Sequence, residues 1–178
     1  MTLNKTVLDC VIDHLMLGAP DLSVGKAWVQ GQLGVMAADG GSHPGQGTRN
    51  ALAGFTDQCY LEVIAPDPAQ ALKGTLGEQL LGAATPHLRM FAVRCSDFEN
   101  LARQLVDLGY QYRMSDLSRE TIDGTRLSWR LLFVEGHSYG GRMPFFIDWG
   151  QSPHPSFGLA QAGTLQQIVV QLSEGHAQ

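Results

Sequence analysis

Two stretches of the chain carry residue types that could do chemistry. The first is GGSHPGQGTRNAL, Gly40 to Leu52, which sets His43 and Asn50 among four glycines and a proline. A Gly-rich run entering polar residues can cradle a phosphate, close a turn or line a pocket. The phosphate reading wants the pattern G-x-x-x-x-G-K-[ST], and Gly40 to Thr48 lacks the lysine. The second is CYLEVIA, Cys59 to Ala65, where Glu62 sits inside an apolar, β-rich run. A buried carboxylate is costly unless it is paired or bound to a metal. Strand alternation also allows Glu62 to point outward, with Tyr60 and Ile64 on its side. Facing a metal-free pocket, it could serve as a general base.

Several function classes are weakened at once. There is no G-x-S-x-G nucleophile elbow, and no G-x-G-x-x-G follows the first predicted strand. The formal charge is −5 and lysines and arginines do not cluster, which argues against nucleic acid as a partner. No apolar run reaches the roughly 18 residues of a membrane helix. The segment MTLNKTVLDC lacks the long apolar core of a secretion signal, so a cytoplasmic protein is expected. Cys10, Cys59 and Cys95 form no C-x-x-C pair and lie in apolar segments, so buried free thiols are expected.

The elements that must position these residues repeat. Val11 to Leu17 reads as a strand, Asp21 as an N-cap, and Leu22, Ala27, Trp28 and Leu33 as one helical stripe ending at Gly34. About 76 positions later the order recurs. Leu88 to Val93 is strand-like, and Asp97 is the cap. Phe98, Leu101, Ala102, Leu105 and Leu108 form the stripe, and Gly109 closes it. A predicted hairpin follows each helix: Gly47 to Phe55 with Cys59 to Ala65, then Thr125 to Glu135 with Pro144 to Trp149. A further strand is expected before each hairpin, around Val35 to Ala38 and Tyr110 to Ser115. Each copy therefore reads β-α-β-β-β. The expected boundaries are 1–68 for the first module, 69–86 for a helical linker, 87–157 for the second module and 158–178 for a C-terminal strand (Leu165 to Leu172) and tail.

A tandem of two such modules resembles the vicinal oxygen chelate superfamily, which includes glyoxalase I, extradiol dioxygenases and bleomycin-resistance proteins. The chain is most similar to its glyoxalase-like domains. The residues that carry the resemblance are Asp13-His14-Leu15, Ala19-Pro20-Asp21-Leu22, His43-Pro44-Gly45 with Gly47-Thr48 and Asn50-Ala51-Leu52, and Tyr60-Leu61-Glu62 through Asp67-Pro68. In the second module it rests on the repeat, on Asp148-Trp149 and on His154-Pro155-Ser156. The resemblance implies an α+β fold: two tandem βαβββ modules forming a cup-shaped mixed sheet with helices outside. A ligand, and often one divalent metal ion, sits in such a cup.

Carried over position by position, the resemblance implies His14, Glu62 and Asp148 as metal ligands, with Met90 at the fourth equivalent place. Imidazole and carboxylate suit zinc, nickel, manganese or iron, whereas a thioether suits them poorly. His43, His87 or His137 could complete the set; His14 could equally be a hydrogen-bonded pocket histidine. Glu62 is the candidate catalytic group, and His43, Asn50 and Trp149 are candidate ligand-binding residues. The loop HSYGGRMP, His137 to Pro144, has the composition of either a flap or a plain hairpin turn.

The function implied is binding of a small oxygenated molecule, with lyase, isomerase or dioxygenase chemistry, metal-dependent if the ligand set is completed. The alternative is a binding protein that sequesters a small molecule without turning it over. The expected partners are that small-molecule ligand and a second copy of the chain, paired through exposed strand edges, with no nucleic acid and no membrane.

Overall fold

The structure, a computed structural model, describes residues 8–120 and 124–172. Residues 1–7 of the expected first module and 173–178 of the expected tail lie outside the described residues. The elements are β1 (Cys10–Gly18), α1 (Leu22–Leu33), β2 (Ala38–His43), β3 (Thr48–Phe55), β4 (Cys59–Pro66), α2 (Leu76–Leu81), β5 (His87–Cys95), α3 (Phe98–Asp107), β6 (Gln111–Glu120), β7 (Arg126–Glu135) and β8 (Phe145–Asp148). A single 3-10 turn, Gly140–Arg142, precedes β8.

Local chemistry explains the helices. The Asp21 carboxylate accepts from the Ser23 amide at 2.7 Å, and Asp97 accepts from the Asn100 amide at 2.9 Å. Both bonds satisfy N–H groups that have no partner in a first turn. Gly34 closes α1 at φ 72°, a left-handed conformation open to glycine at little cost. Within α1, Gly25 lies flat against Val63, and a methyl group there would collide with that side chain.

All eight strands form one mixed sheet in the order β2-β3-β4-β1-β5-β8-β7-β6. The first four positions repeat in mirror order as the last four, so each β-α-β-β-β unit makes half the sheet. The halves meet at β1 and β5, which run antiparallel with Met16 opposite Met90 and Leu15 opposite Phe91. Each half closes with a parallel pair, β1 with β4 and β5 with β8. The sheet curls until its edges approach, and Arg119 of β6 donates to the Gly40 carbonyl of β2 at 3.0 Å.

Alternation then sorts the side chains. Leu17, Ala51, Ala53, Leu61 and Val63 pack with Leu22 and Val29 of α1. Cys95, Leu132 and Val134 pack with Phe98, Leu101 and Leu105 of α3. A third apolar cluster, including Met16, Leu52, Ile64, Phe145 and Ile147, lines the concave side. The helices thus cover the convex face and leave the concave one open as a cup.

Three expectations need correction. The strand placed at Val35 to Ala38 begins only at Ala38 and runs to His43. Val35 and Ala37 drop instead into the core beneath α1. Leu165 to Leu172 pairs with no strand among the described residues. Among the described residues the tail's one ladder contact is a bridge between Gly54 and Gln161. There Ala160 and Ala162 satisfy the backbone of Gly54, beyond the point where β2 stops covering β3. Past Leu165 the segment leaves the sheet, and Val169 is 72% exposed. Cys10 and Cys95 are joined in a disulfide, because the β1–β5 register sets them directly opposite. Cys59 alone is free, and burial pushes its thiol up to about 11. Of the two readings of HSYGGRMP, the plain connection between β7 and β8 is the one seen, and none of its residues lines the cup. It rests on the β5 backbone, with Gly141 too close to Arg89 for any side chain.

Candidate functional site

The cup encloses about 310 Å³. That is at the small end of ligand sites, room for a small organic molecule. Its walls are unequal. His14, His43, Thr48, Asn50 and Glu62 line it from β1 to β4; β5, β7 and β8 present mainly apolar groups, Met90, Leu131, Phe133, Phe145 and Ile147, and β6 adds Arg113, Ser115 and Arg119.

His14 is held from behind. In the β1–β5 ladder the register slips between Ile12 and His14, which leaves Asp13 as the extra residue of a bulge. A bulge re-aims a side chain that strict alternation would send to the other face. The Asp13 carboxylate, fully buried, therefore reaches Nδ1 of His14 at 2.7 Å, Nε2 of His154 at 2.9 Å and the indole Nε1 of Trp149 at 3.2 Å. Burial alone would raise its pKa. The hydrogen bonds from His14 and His154 outweigh that and hold the group well below the usual carboxylate range. An ionised carboxylate only accepts, so all three nitrogens donate to it. That fixes the tautomer of His14 and leaves its Nε2 facing the cup.

Glu62 faces the cup and is buried. Asn50 Nδ2 donates to its Oε1 at 2.7 Å, reaching diagonally across the β3–β4 ladder. The Oδ1 of Asn50 presses on Gly40, where any side chain would displace it, and accepts no hydrogen bond among the described residues. His14 Nε2 lies 3.7 Å from Glu62 Oε2, and His43 Nε2 lies 3.7 Å from Oε1. Nδ1 of His43 meets the Thr48 hydroxyl at 3.0 Å. Burial keeps His43 below the ordinary histidine pKa despite the nearby Glu62. Tyr60 stacks under His14 with ring centroids 4.6 Å apart, and Phe145 meets its edge at 5.5 Å.

The structure thus brings together His14, His43, Asn50 and Glu62. Trp149 also lines the cup and is tied to Asp13. Asp148 lies elsewhere. Phe145 and Ile147 face inward on β8, so Asp148 faces outward. There it accepts from Arg130 at 2.7 Å and from the Gly150 amide at 2.8 Å. His87 is exposed and His137 stacks on Tyr139; neither lines the cup. Three contributors escaped sequence reasoning. Asp13 was hidden because alternation assigns neighbours to opposite faces. His154 is 141 residues from Asp13, and only the fold joins them. Arg119 sits on a strand expected to end at Ser115.

The ligand set of a divalent metal can be tested against these positions. Glu62 stands opposite Met16 in the β1–β4 ladder, and Phe145 stands opposite Ala92 in the β5–β8 ladder. Met16 and Ala92 correspond through the repeat, so Phe145, not Asp148, is the counterpart of Glu62. The counterpart of His14 is Met90. The four equivalent places hold His14, Glu62, Met90 and Phe145, and two of them carry no useful donor. Among the described residues no three His, Cys, Asp or Glu side chains are placed to share an ion. The four-position metal set does not fit this cup.

Two β-α-β-β-β units around one seam, with a ligand-sized cup on the concave face, define the vicinal oxygen chelate class of fold. Within it, the profile of the glyoxalase-like domain family matches residues 12–176, and the chain belongs to that family. Among solved structures it is similar to methylmalonyl-CoA epimerase from Mycobacterium tuberculosis, at 22% identity over 78% of this chain and 87% of that one, with a TM-score of 0.58. It is also similar to a methylmalonyl-CoA epimerase in complex with methylmalonyl-CoA and NH4+, at 18% identity over 84% and 100%, TM-score 0.59. A hypothetical protein from Staphylococcus aureus matches at 19% identity over 80% and 60%, TM-score 0.62. At these identities the likeness is one of fold. No curated protein sequence matches the chain.

Proposed function

We propose that the cup binds a small oxygenated molecule and moves a proton on it, as an isomerase or lyase acting next to a carbonyl group. The observation that carries this reading is the pair His14 Nε2 and Glu62 Oε2, 3.7 Å apart and each anchored from behind, by Asp13 and Asn50. Glu62 takes the proton from carbon, and His14 relays or returns it. His43, with Nδ1 accepting from the Thr48 hydroxyl, presents Nε2–H to the oxygen on which charge develops. The apolar side chains of β5, β7 and β8 limit water on the facing side, which strengthens each of these interactions. No step is assigned to a metal.

The test is exchange of carbon-bound hydrogen for deuterium in heavy water, followed by NMR. The panel holds small 2-oxo acids, their esters and methylmalonyl-CoA, the molecule bound in one structural neighbour. The wild-type chain should label at least one panel member at the carbon beside the carbonyl. Glu62→Gln should slow labelling by about 10²–10⁴-fold, the usual contribution of a positioned acid or base. Binding without labelling, for every member that binds, would replace this reading with sequestration. Parallel samples with nickel, zinc, manganese and iron(II) examine a metal-dependent variant of the reaction.

A further inference from the structure

One charged group in the cup has no role in that proton transfer. Arg119 lines the cavity from β6 and is partly buried. Of the five N–H donors of its guanidinium, one reaches the Gly40 carbonyl at 3.0 Å. It forms no ion pair among the described residues. The other cation of the lining, Arg113, is already engaged. Its Nε lies 3.3 Å from Glu135, its NH1 donates to Ser115 at 3.0 Å, and its guanidinium covers the Phe133 ring. Glu62 is the one carboxylate in the lining, and it is held by Asn50. The charge of Arg119 reaches the site, since it disfavours protonation of His43 and favours ionisation of Tyr60. A guanidinium whose other donors have no partner among the described residues, at the edge of a cavity, is matched by a planar oxyanion that accepts two parallel hydrogen bonds.

We propose that Arg119 is the anion-recognition residue of the cup and that its ligand is a small carboxylic acid. The acid group pairs with Arg119 while the carbon next to a carbonyl is offered to Glu62 and His14. The fate of that carbon rests on the proton-transfer reading above; the binding by Arg119 does not. A cavity of about 310 Å³ admits acids of a few carbons.

Calorimetric titration of the full chain tests this with pyruvate, lactate and malonate, each set against its uncharged partner: methyl pyruvate, lactamide and malonamide. The acids should bind at least tenfold more tightly than their partners, and rising salt should weaken only the acids. Arg119→Gln should cost the acids about tenfold or more and leave the uncharged partners unchanged, with Arg119→Lys in between. A thermal melt of each variant shows whether loss of the Gly40 contact has unfolded it, and the salt dependence of the wild type stands if it has. His14→Gln should keep acid binding while losing deuterium labelling. Equal binding of acids and amides, no acid binding to the wild type, or undiminished acid binding by a folded Arg119→Gln would overturn the proposal. Arg119-dependent acid binding without labelling in the wild type would instead overturn the proton-transfer reading alone.

Discussion

The two halves of the sheet follow the same path of chain and differ in chemistry at matching places. At matching places the first half carries His14 and Glu62, and the second carries Met90 and Phe145. The same backbone frame therefore builds a polar floor on one side of the cup and, from β5, β7 and β8, a mainly apolar wall on the other, with the lining charges of the second half confined to β6. The repeat fixes where side chains point; it does not fix what they are. Asymmetry of this kind suits a site where polar groups act and the facing wall keeps water away. The floor also receives help from beyond the repeat, because His154 arrives from the segment after β8 to share Asp13.

The largest effect of breaking this asymmetry should come at Asp13. Asp13→Ala leaves the donors of His14, His154 and Trp149 facing a void, and removal of one partner from a buried charged network costs about 3–5 kcal/mol. Urea unfolding would read that loss. Asp13→Asn should keep more of the fold but place His14 in the wrong tautomer, so labelling activity falls further than stability. Because Asp13 titrates below the usual carboxylate range in the folded state, its contribution is full above that range. It is lost as pH falls through the folded pKa.

On the apolar side Phe145→Ala should cost about 3–5 kcal/mol through the cavity it leaves, again by urea unfolding. Met90→Leu conserves volume and should cost less than about 1.5 kcal/mol. A sharper form of the comparison puts donors where the repeat lacks them. The double variant M90H/F145E would complete a four-residue set with His14 and Glu62, and should bind nickel or zinc more tightly than the wild type in an equilibrium dialysis assay.

The smallest effect concerns His43. Its folded pKa lies below the ordinary value near 6.5, so the unfolded chain binds more protons as pH drops through that region, and stability falls with it. Stability of His43→Gln measured between pH 7.5 and 5, roughly the range in which an unperturbed histidine titrates, should depend less on pH than that of the wild type.

Much of this frame was legible in the residues. Asp21, Asp97 and the Leu-Gly helix ends gave the repeat, and the repeat gave the cup. His14, His43, Asn50 and Glu62 stand out in the sequence by residue type and setting, and in the structure they do meet. What failed did so for identifiable reasons. Aligning the last strands of the two modules pairs Asp148 with Glu62, whereas cross-strand register shows Phe145 in that role. Asp13 was invisible because a one-residue bulge overrides alternation. The C-terminal segment has strand-like composition, yet only Gln161 bridges the sheet, where β3 outruns β2, and Leu165 to Leu172 pairs with no strand among the described residues. The pairing of Cys10 with Cys95 depends on a register that no spacing rule supplies.

In the proposed reaction the floor of the first half does the chemistry. Deuterium labelling of a bound small acid, compared across wild type, His14→Gln, Glu62→Gln and Met90→Leu, tests it most directly. The two first-half variants should lose labelling by about 10²-fold or more while still binding the acid, and Met90→Leu should lose less than about tenfold. Equal losses in both halves, or labelling that survives in both His14→Gln and Glu62→Gln, would contradict it.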